Sequence, residues 1–151
     1  MDANAEEPAV VKKFNYNFSI KDLGGNVIDV NQFKGKTIFL NIWATWCGPC
    51  RVEMPSIQNL YSQVDNEKIL FIMLSVDRRE DLDKVKRFIS DKEYTFPVYT
   101  PAGNLPNQLQ VRLIPSTFVI NSDGKIVSNE SGAANYDTPE FKEFLEALIQ
   151  P

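Results

Sequence analysis

The chain has 151 residues, 43% of them hydrophobic and 24% charged, with a formal net charge of −4 and no histidine. That length suits one domain able to bury most of its apolar surface without cross-links, and the composition is globular rather than disordered, fibrous or membrane-spanning. The acidic balance argues against nucleic acid as a partner, which needs a basic face, and the missing histidine excludes Ser-His-Asp triads and every His-containing zinc or copper site.

No apolar run approaches the roughly 18–20 residues that cross a bilayer; the nearest, Ile69–Val76, is about one buried strand long. The start, Met1-Asp2-Ala3-Asn4-Ala5-Glu6-Glu7, lacks the basic and apolar segments of a signal peptide. A cytoplasmic protein reads this way, and so does a mature domain whose signal or membrane anchor has been removed.

Residues 1–13 read as a flexible tail with little to bury, and 14–151 as one domain. From Phe14 to Ile20 apolar and polar residues alternate, the pattern of a half-buried strand; Asp22–Asn26 is its turn and Val27–Val30 the returning strand. Thr37–Trp43 is nearly continuous in apolar and β-branched residues, as a central strand covered on both faces requires. A helix follows from Pro49, with Val52, Ile57, Leu60, Tyr61 and Val64 as its apolar stripe and Pro55 inside it as a source of a kink.

Ile69–Val76 is the next buried strand, and Leu82, Val85, Phe88 and Ile89 recur at helical spacing behind it. The pair Arg78-Arg79, followed by Glu80 and Asp81, is a solvated loop. A short strand over Phe96–Thr100 and a helical turn over Leu105–Leu109 precede Thr117–Ile120 and Lys125–Val127, which flank the hairpin signal Asn121-Ser122-Asp123-Gly124. Thr138-Pro139 opens a last helix with Phe141, Phe144, Leu145, Leu148 and Ile149 on one face. This alternation with an antiparallel finish implies an α/β fold: a mixed central sheet flanked by helices.

The two cysteines, Cys47 and Cys50, stand between the central strand and its helix. As a structural staple they close the smallest of loops and constrain the unfolded chain little. As a zinc site they lack partners, since a closed site takes about four ligands. A redox pair fits the placement. At a helix N-terminus the backbone N–H groups and the macrodipole favour a thiolate, so Cys47 is expected exposed as nucleophile and Cys50, a turn further in, shielded as the resolving thiol. Gly48-Pro49 sets the spacing without a side chain in the approach, and Trp46 shapes the rim or simply packs there.

The run Trp43-Ala44-Thr45-Trp46-Cys47-Gly48-Pro49-Cys50, with Pro55 and with Ile114-Pro115-Ser116-Thr117 before a late strand, resembles the thioredoxin superfamily. The upstream residues Phe18-Ser19-Ile20-Lys21-Asp22, Gly25 and Phe33-Lys34-Gly35-Lys36 narrow the resemblance to the TlpA/ResA-like thiol–disulfide oxidoreductases, over about residues 14–150. It implies a thioredoxin-like fold with an N-terminal β-hairpin and a central helix/strand insertion. It also implies that Pro115 is a cis-proline facing the cysteines, with Ile114 as a docking and tuning residue that offers its backbone to an extended peptide.

Asn41 departs from cytoplasmic thioredoxins, which carry a buried aspartate there, so another base must serve Cys50. Glu53, three residues on along the same helix face, is the candidate, as the ResA-like resemblance also implies; a solvated surface glutamate is the plain alternative. The chain carries no nucleotide or flavin fingerprint and no cofactor is expected, so electrons arrive from an upstream thiol donor protein and pass to a disulfide-containing client protein.

The resemblance further implies an extracytoplasmic setting, in the periplasm or cell envelope, with an apocytochrome among the possible clients, and the chain is expected to act as a monomer. Two rival readings are a thiol peroxidase, which would draw on Thr45 and Arg51 although their spacing is not that of the peroxidase signature, and a non-catalytic peptide- or metal-binding module whose cysteines stay locked.

Overall fold

A computed structural model describes residues 12–150. Residues 1–11, most of the expected tail, and the terminal Pro151 lie outside the described residues. Lys12 and Lys13 run beside the late hairpin: Ile126 N–H donates to Lys12 O at 2.9 Å, and Lys13 bridges Lys125.

Seven described strands and three α-helices follow in chain order: β1 (Ser19–Asp22), β2 (Val27–Asp29), β3 (Thr37–Trp43), α1 (Gly48–Tyr61), β4 (Ile69–Ser75), α2 (Leu82–Lys92), β5 (Val98–Pro101), β6 (Ser116–Ile120), β7 (Ile126–Ser131) and α3 (Pro139–Leu148). Short 3-10 turns occupy Val30–Phe33, Arg79–Asp81 and Asn107–Leu109. The strands form one mixed sheet in the order β2-β1-β5-β4-β3-β6-β7. At its centre β3 pairs parallel with β4, Trp43 opposite Ser75, and antiparallel with β6, Asn41 opposite Thr117.

Every residue of β3 is buried, as a strand with neighbours on both edges and cover on both faces must be. Its side chains divide by parity. Ile38, Leu40 and Ile42 join Phe118, Ile120, Leu74 and the aromatic run Phe14, Tyr16 and Phe18 on one face, which the 3-10 turns cap through Val30 and Leu109. Phe39 and Trp43 face the other side, where α1, α2 and α3 contribute Met54, Ile57, Leu60, Val85, Ile89 and Leu145. The helical cover is therefore uneven: the three α-helices share one face, and an extended segment with 3-10 turns closes the other.

Phe14, Tyr16 and Phe18 alternate buried with exposed Asn15 and Asn17, yet ladder pairing begins only at Ser19. The aromatic side chains face inward from an extended chain that borrows hydrogen bonds from Gly124 and Gln108 instead of a neighbouring strand. Gly124 makes the Asn121–Gly124 turn possible: it sits at φ 84°, a left-handed conformation open to glycine, and its N–H donates to Asn121 O.

In α1 the buried residues are Cys50, Glu53, Met54, Ile57 and Leu60. Val52, expected in the apolar stripe, is 74% exposed. With 3.6 residues per turn, the face that carries Cys50, Met54 and Ile57 turns Val52 outward. The helix runs on through Pro55 to Tyr61. In α3, Thr138 caps the first turn by accepting Phe141 N–H at 3.1 Å, and Leu145 is its fully buried anchor.

Candidate active site

The buried strand β3 delivers the chain to the N-terminus of α1, where Cys47 is the capping residue in extended conformation. Its sulfur accepts Cys50 N–H at 3.2 Å, in the position an oxygen takes in ordinary caps. The two cysteines form a disulfide, their Cα atoms 5.3 Å apart. An N–H donor and the positive helix end both favour negative charge on a sulfur held there.

Cys47 is 6% exposed and Cys50 fully buried, which corrects the expectation of an open Cys47. Its side chain turns inward to cap α1 and lies 3.8 Å from the carbonyl oxygen of Ile114. The order of the pair is retained, with Cys50 the deeper sulfur. What stands open at the rim is Trp46, 66% exposed, together with Pro49, while Gly48 leaves empty space where a side chain would be.

The Ile114–Pro115 peptide bond is cis. Pro115 is buried, Ile114 half-buried, and Leu113 projects into solvent beside them. Cysteines, rim and Ile114–Pro115 thus come together, although 67 residues separate Cys47 from Ile114.

Beneath the disulfide, Glu53 is 2% exposed. Its Oε1 accepts Asn41 Nδ2 at 2.7 Å and its Oε2 accepts Ala134 N–H at 3.1 Å. Asn41 Nδ2 also donates to Thr117 Oγ1 at 2.9 Å, across the β3–β6 pair that sets them opposite. Burial pushes the Glu53 carboxyl up from 4.5 to about 7, against the pull of the Asn41 and Ala134 donors. A carboxyl in that range exchanges its proton near neutrality.

Tyr136 lies close by; burial first, and then the Glu53 and Glu130 charges, push its hydroxyl up to about 12, so it stays protonated.

The loop before the cysteines is held from β4. Thr45 N–H donates to both Asp77 oxygens, at 3.0 and 3.2 Å, Thr45 Oγ1 donates to Asp77, and Ser75 Oγ donates to Asp77 at 2.6 Å. Arg51 Nη1 donates to Thr45 O at 2.6 Å. Thr45 and Arg51 are thereby engaged with Asp77 and the loop backbone, not with the sulfur.

Local sequence pattern assigns Thr117, Ala134 and Asp77 no part in the site, although Thr117 closes the Ile114-Pro115-Ser116-Thr117 motif. For two of them the strand register carries a signal, since β6 sets Thr117 opposite Asn41 and the parallel β3–β4 pair ends at Trp43 opposite Ser75, two residues before Thr45 and Asp77. The Ala134 amide has none. Among the described residues, no three or more His, Cys, Asp and Glu side chains gather where they could hold a metal ion.

The redoxin family model matches residues 9–148. The chain is similar to the thiol-disulfide oxidoreductase ResA of Bacillus thuringiensis subsp. konkukian, 33% identical over 144 residues that cover 95% of this chain and 81% of the relative. The ResA of Halalkalibacterium halodurans is 35% identical over 150 residues, 99% of this chain and 79% of the relative. In fold it is similar to the crystal structure of StoA from Bacillus subtilis, with a TM-score of 0.67 and 24% identity over 95% of this chain and all of that one. A family model that takes in both cysteines and the whole sheet, with relatives a third identical across nearly the full length, makes this chain a member of the redoxin family and a ResA-like thiol–disulfide oxidoreductase.

Proposed function

We propose that the protein reduces disulfides in client proteins through the Cys47–Cys50 dithiol. The observation that carries this reading is the placement of Cys47 Sγ, which caps α1 3.2 Å from Cys50 N–H and lies 3.8 Å from Ile114 O.

In the reduced protein the Cys47 thiolate attacks one sulfur of a client disulfide. The client sulfur–sulfur bond breaks, one client thiolate leaves and takes up a proton, and a mixed disulfide forms. Glu53, which shares the buried face of α1 with Cys50, takes the Cys50 proton. The Cys50 thiolate then attacks Cys47 sulfur and expels the second client thiolate. Two electrons have passed to the client, the Cys47–Cys50 disulfide has formed, and a dithiol donor protein returns the electrons.

Trp46, Gly48, Pro49, Ile114 and Pro115 serve as the client-docking surface. Ile114 presents backbone to an extended peptide, and the exposed Trp46 supplies a rigid apolar contact. Cys47, Cys50 and Glu53 all sit on one chain, so a monomer suffices. The ResA-like resemblance supports work outside the cytoplasm, in the periplasm or cell envelope, and among the described residues no helix is long and apolar enough to cross a membrane. Residues 14–151 constitute the working domain.

Cys47→Ser is expected to abolish reduction of an insulin-type disulfide, and Cys50→Ser to accumulate the mixed disulfide, visible as a mass increment lost on reduction. Undiminished turnover by Cys47→Ser would overturn the mechanism. Gly48-Pro49 matches the dipeptide of reducing thioredoxins, so the potential measured against a glutathione couple is expected on the reducing side, towards about −270 mV rather than about −120 mV.

A further inference from the structure

Between β7 and α3 the main chain carries a regular row of donors. Alternate amides turn inward: Gly132 N–H donates to Pro115 O at 2.8 Å, Ala134 N–H to Glu53 Oε2 at 3.1 Å, and Tyr136 N–H to Ser56 Oγ at 3.0 Å. Ser56 Oγ in turn donates to Glu53 O at 2.7 Å. A period of two is the geometry of extended chain, so backbone spacing sets the distance between these donors and a shift at one is passed to the next.

Both ends are anchored. Gly132 sits at φ 90°, a conformation side chains rarely adopt, although nothing lies within 4 Å of where its Cβ would stand. Its glycine is required by backbone shape and not by space. At the other end the Tyr136 ring packs edge-on against Phe39, 5.3 Å between centroids, and against Phe141 at 5.0 Å.

We propose that residues 132–136 form a strap through which a client docked on Ile114–Pro115 adjusts the proton on Glu53, with Gly132 and Ala134 as positioning residues. The inference rests on the reading of Glu53 as the acceptor of the Cys50 proton. Ala134 N–H is one of two donors on the Glu53 carboxylate, and such a donor favours the charged form. A peptide bound to the Ile114 backbone loads the same peptide units whose Pro115 carbonyl holds Gly132, so docking and proton affinity are linked, and the linkage is reciprocal.

The other groups around Glu53 are Asn41 from β3, Thr117 from β6 through Asn41, Cys50 on its own helix, and Tyr136 at the strap's end with Glu130 of β7 beyond it. Of these, Tyr136 keeps its proton across the neutral range.

The test is a direct carboxyl titration, by NMR of carboxyl-labelled glutamate, in the Cys50→Ser protein, free and as the mixed disulfide with a client-type cysteine peptide. Added to that background, Ala134→Pro deletes the amide donor, and Ala134→Ser keeps it. The Glu53 midpoint is expected to rise by about one pH unit in Ala134→Pro and to stay in place in Ala134→Ser. Peptide attachment is expected to move the midpoint in the parent and in Ala134→Ser, and not in Ala134→Pro.

An unchanged midpoint in folded Ala134→Pro, or a peptide-induced shift that survives there, overturns the strap. If Ala134→Pro does not fold, a backbone ester at the 133–134 linkage removes only the N–H and carries the same expectations. With Cys50 intact, Glu53→Gln resolving the mixed disulfide at the parental rate would remove Glu53 from the reaction while leaving the strap's titration result standing.

Discussion

Asn41 Nδ2 lies 2.7 Å from Glu53 Oε1, in a pocket from which both side chains are closed to solvent. The position where cytoplasmic thioredoxins keep a carboxylate is thus held by a neutral donor, and the carboxylate comes instead from α1, 12 residues on.

Replacing Asn41 by aspartate brings two carboxyls within hydrogen-bond distance. Like charges that close share a proton, so the pair is expected to titrate in two steps, the upper one above the Glu53 value of about 7. Carboxyl infrared difference spectra against pH check this; a single step near 7 contradicts it. At neutral pH the pair retains its proton, and resolution of the mixed disulfide is expected to slow.

Glu53 also makes stability depend on pH. Its folded value is raised, so between about 4.5 and about 7 the unfolded chain has released a proton that the folded protein still holds. Stability contributed by this group is therefore full below 4.5 and falls as pH rises to about 7. Glu53→Gln removes the slope, a difference on the order of 3 kcal/mol across that window. Urea midpoints of the oxidised proteins at pH 4.5 and 7.5 measure it, and parallel curves for parent and variant count against it.

Asp77 accepts three donors from Thr45 and Ser75, two of them side-chain hydroxyls and one a loop amide. Asp77→Ala leaves that amide and the half-buried loop without acceptors, at a cost of about 1–3 kcal/mol. Chemical denaturation is expected to show the loss, together with faster proteolysis between Ala44 and Cys47.

Trp46 is the opposite case, a large aromatic side chain left mostly in solvent. Trp46→Ala is expected to leave the unfolding free energy within about 0.5 kcal/mol of the parent, as surface substitutions do. It is expected to raise KM for a protein disulfide several-fold while leaving the reaction with a small disulfide such as oxidised glutathione unchanged. Equal loss with both substrates points away from docking.

Much of this molecule is written in local pattern. The unbroken Thr37–Trp43, the Thr138 cap and the Cys47–Cys50 spacing depend on neighbours within a few residues, and those elements stand within a residue or two of where the patterns predict them, whereas the alternation from Phe14 predicts the burial of Phe14, Tyr16 and Phe18 but not the ladder, which starts at Ser19. Helical spacing also placed Glu53 on the face of Cys50, because three residues are nearly one turn. Val52 and Cys47 mark where local pattern ends. An apolar residue on α1 faces solvent because the sheet fixes which side of the helix is covered, and the helix-tip sulfur that caps α1 has the Ile114 carbonyl, 67 residues on, lying 3.8 Å from it. The cradle around Glu53 joins residues 12, 76 and 81 positions apart. No periodicity reaches across such distances. Sheet register and the return of the 132–136 segment over α1 set the partners of that carboxyl, and it is removal from water by distant parts of the chain that moves its proton affinity to neutrality.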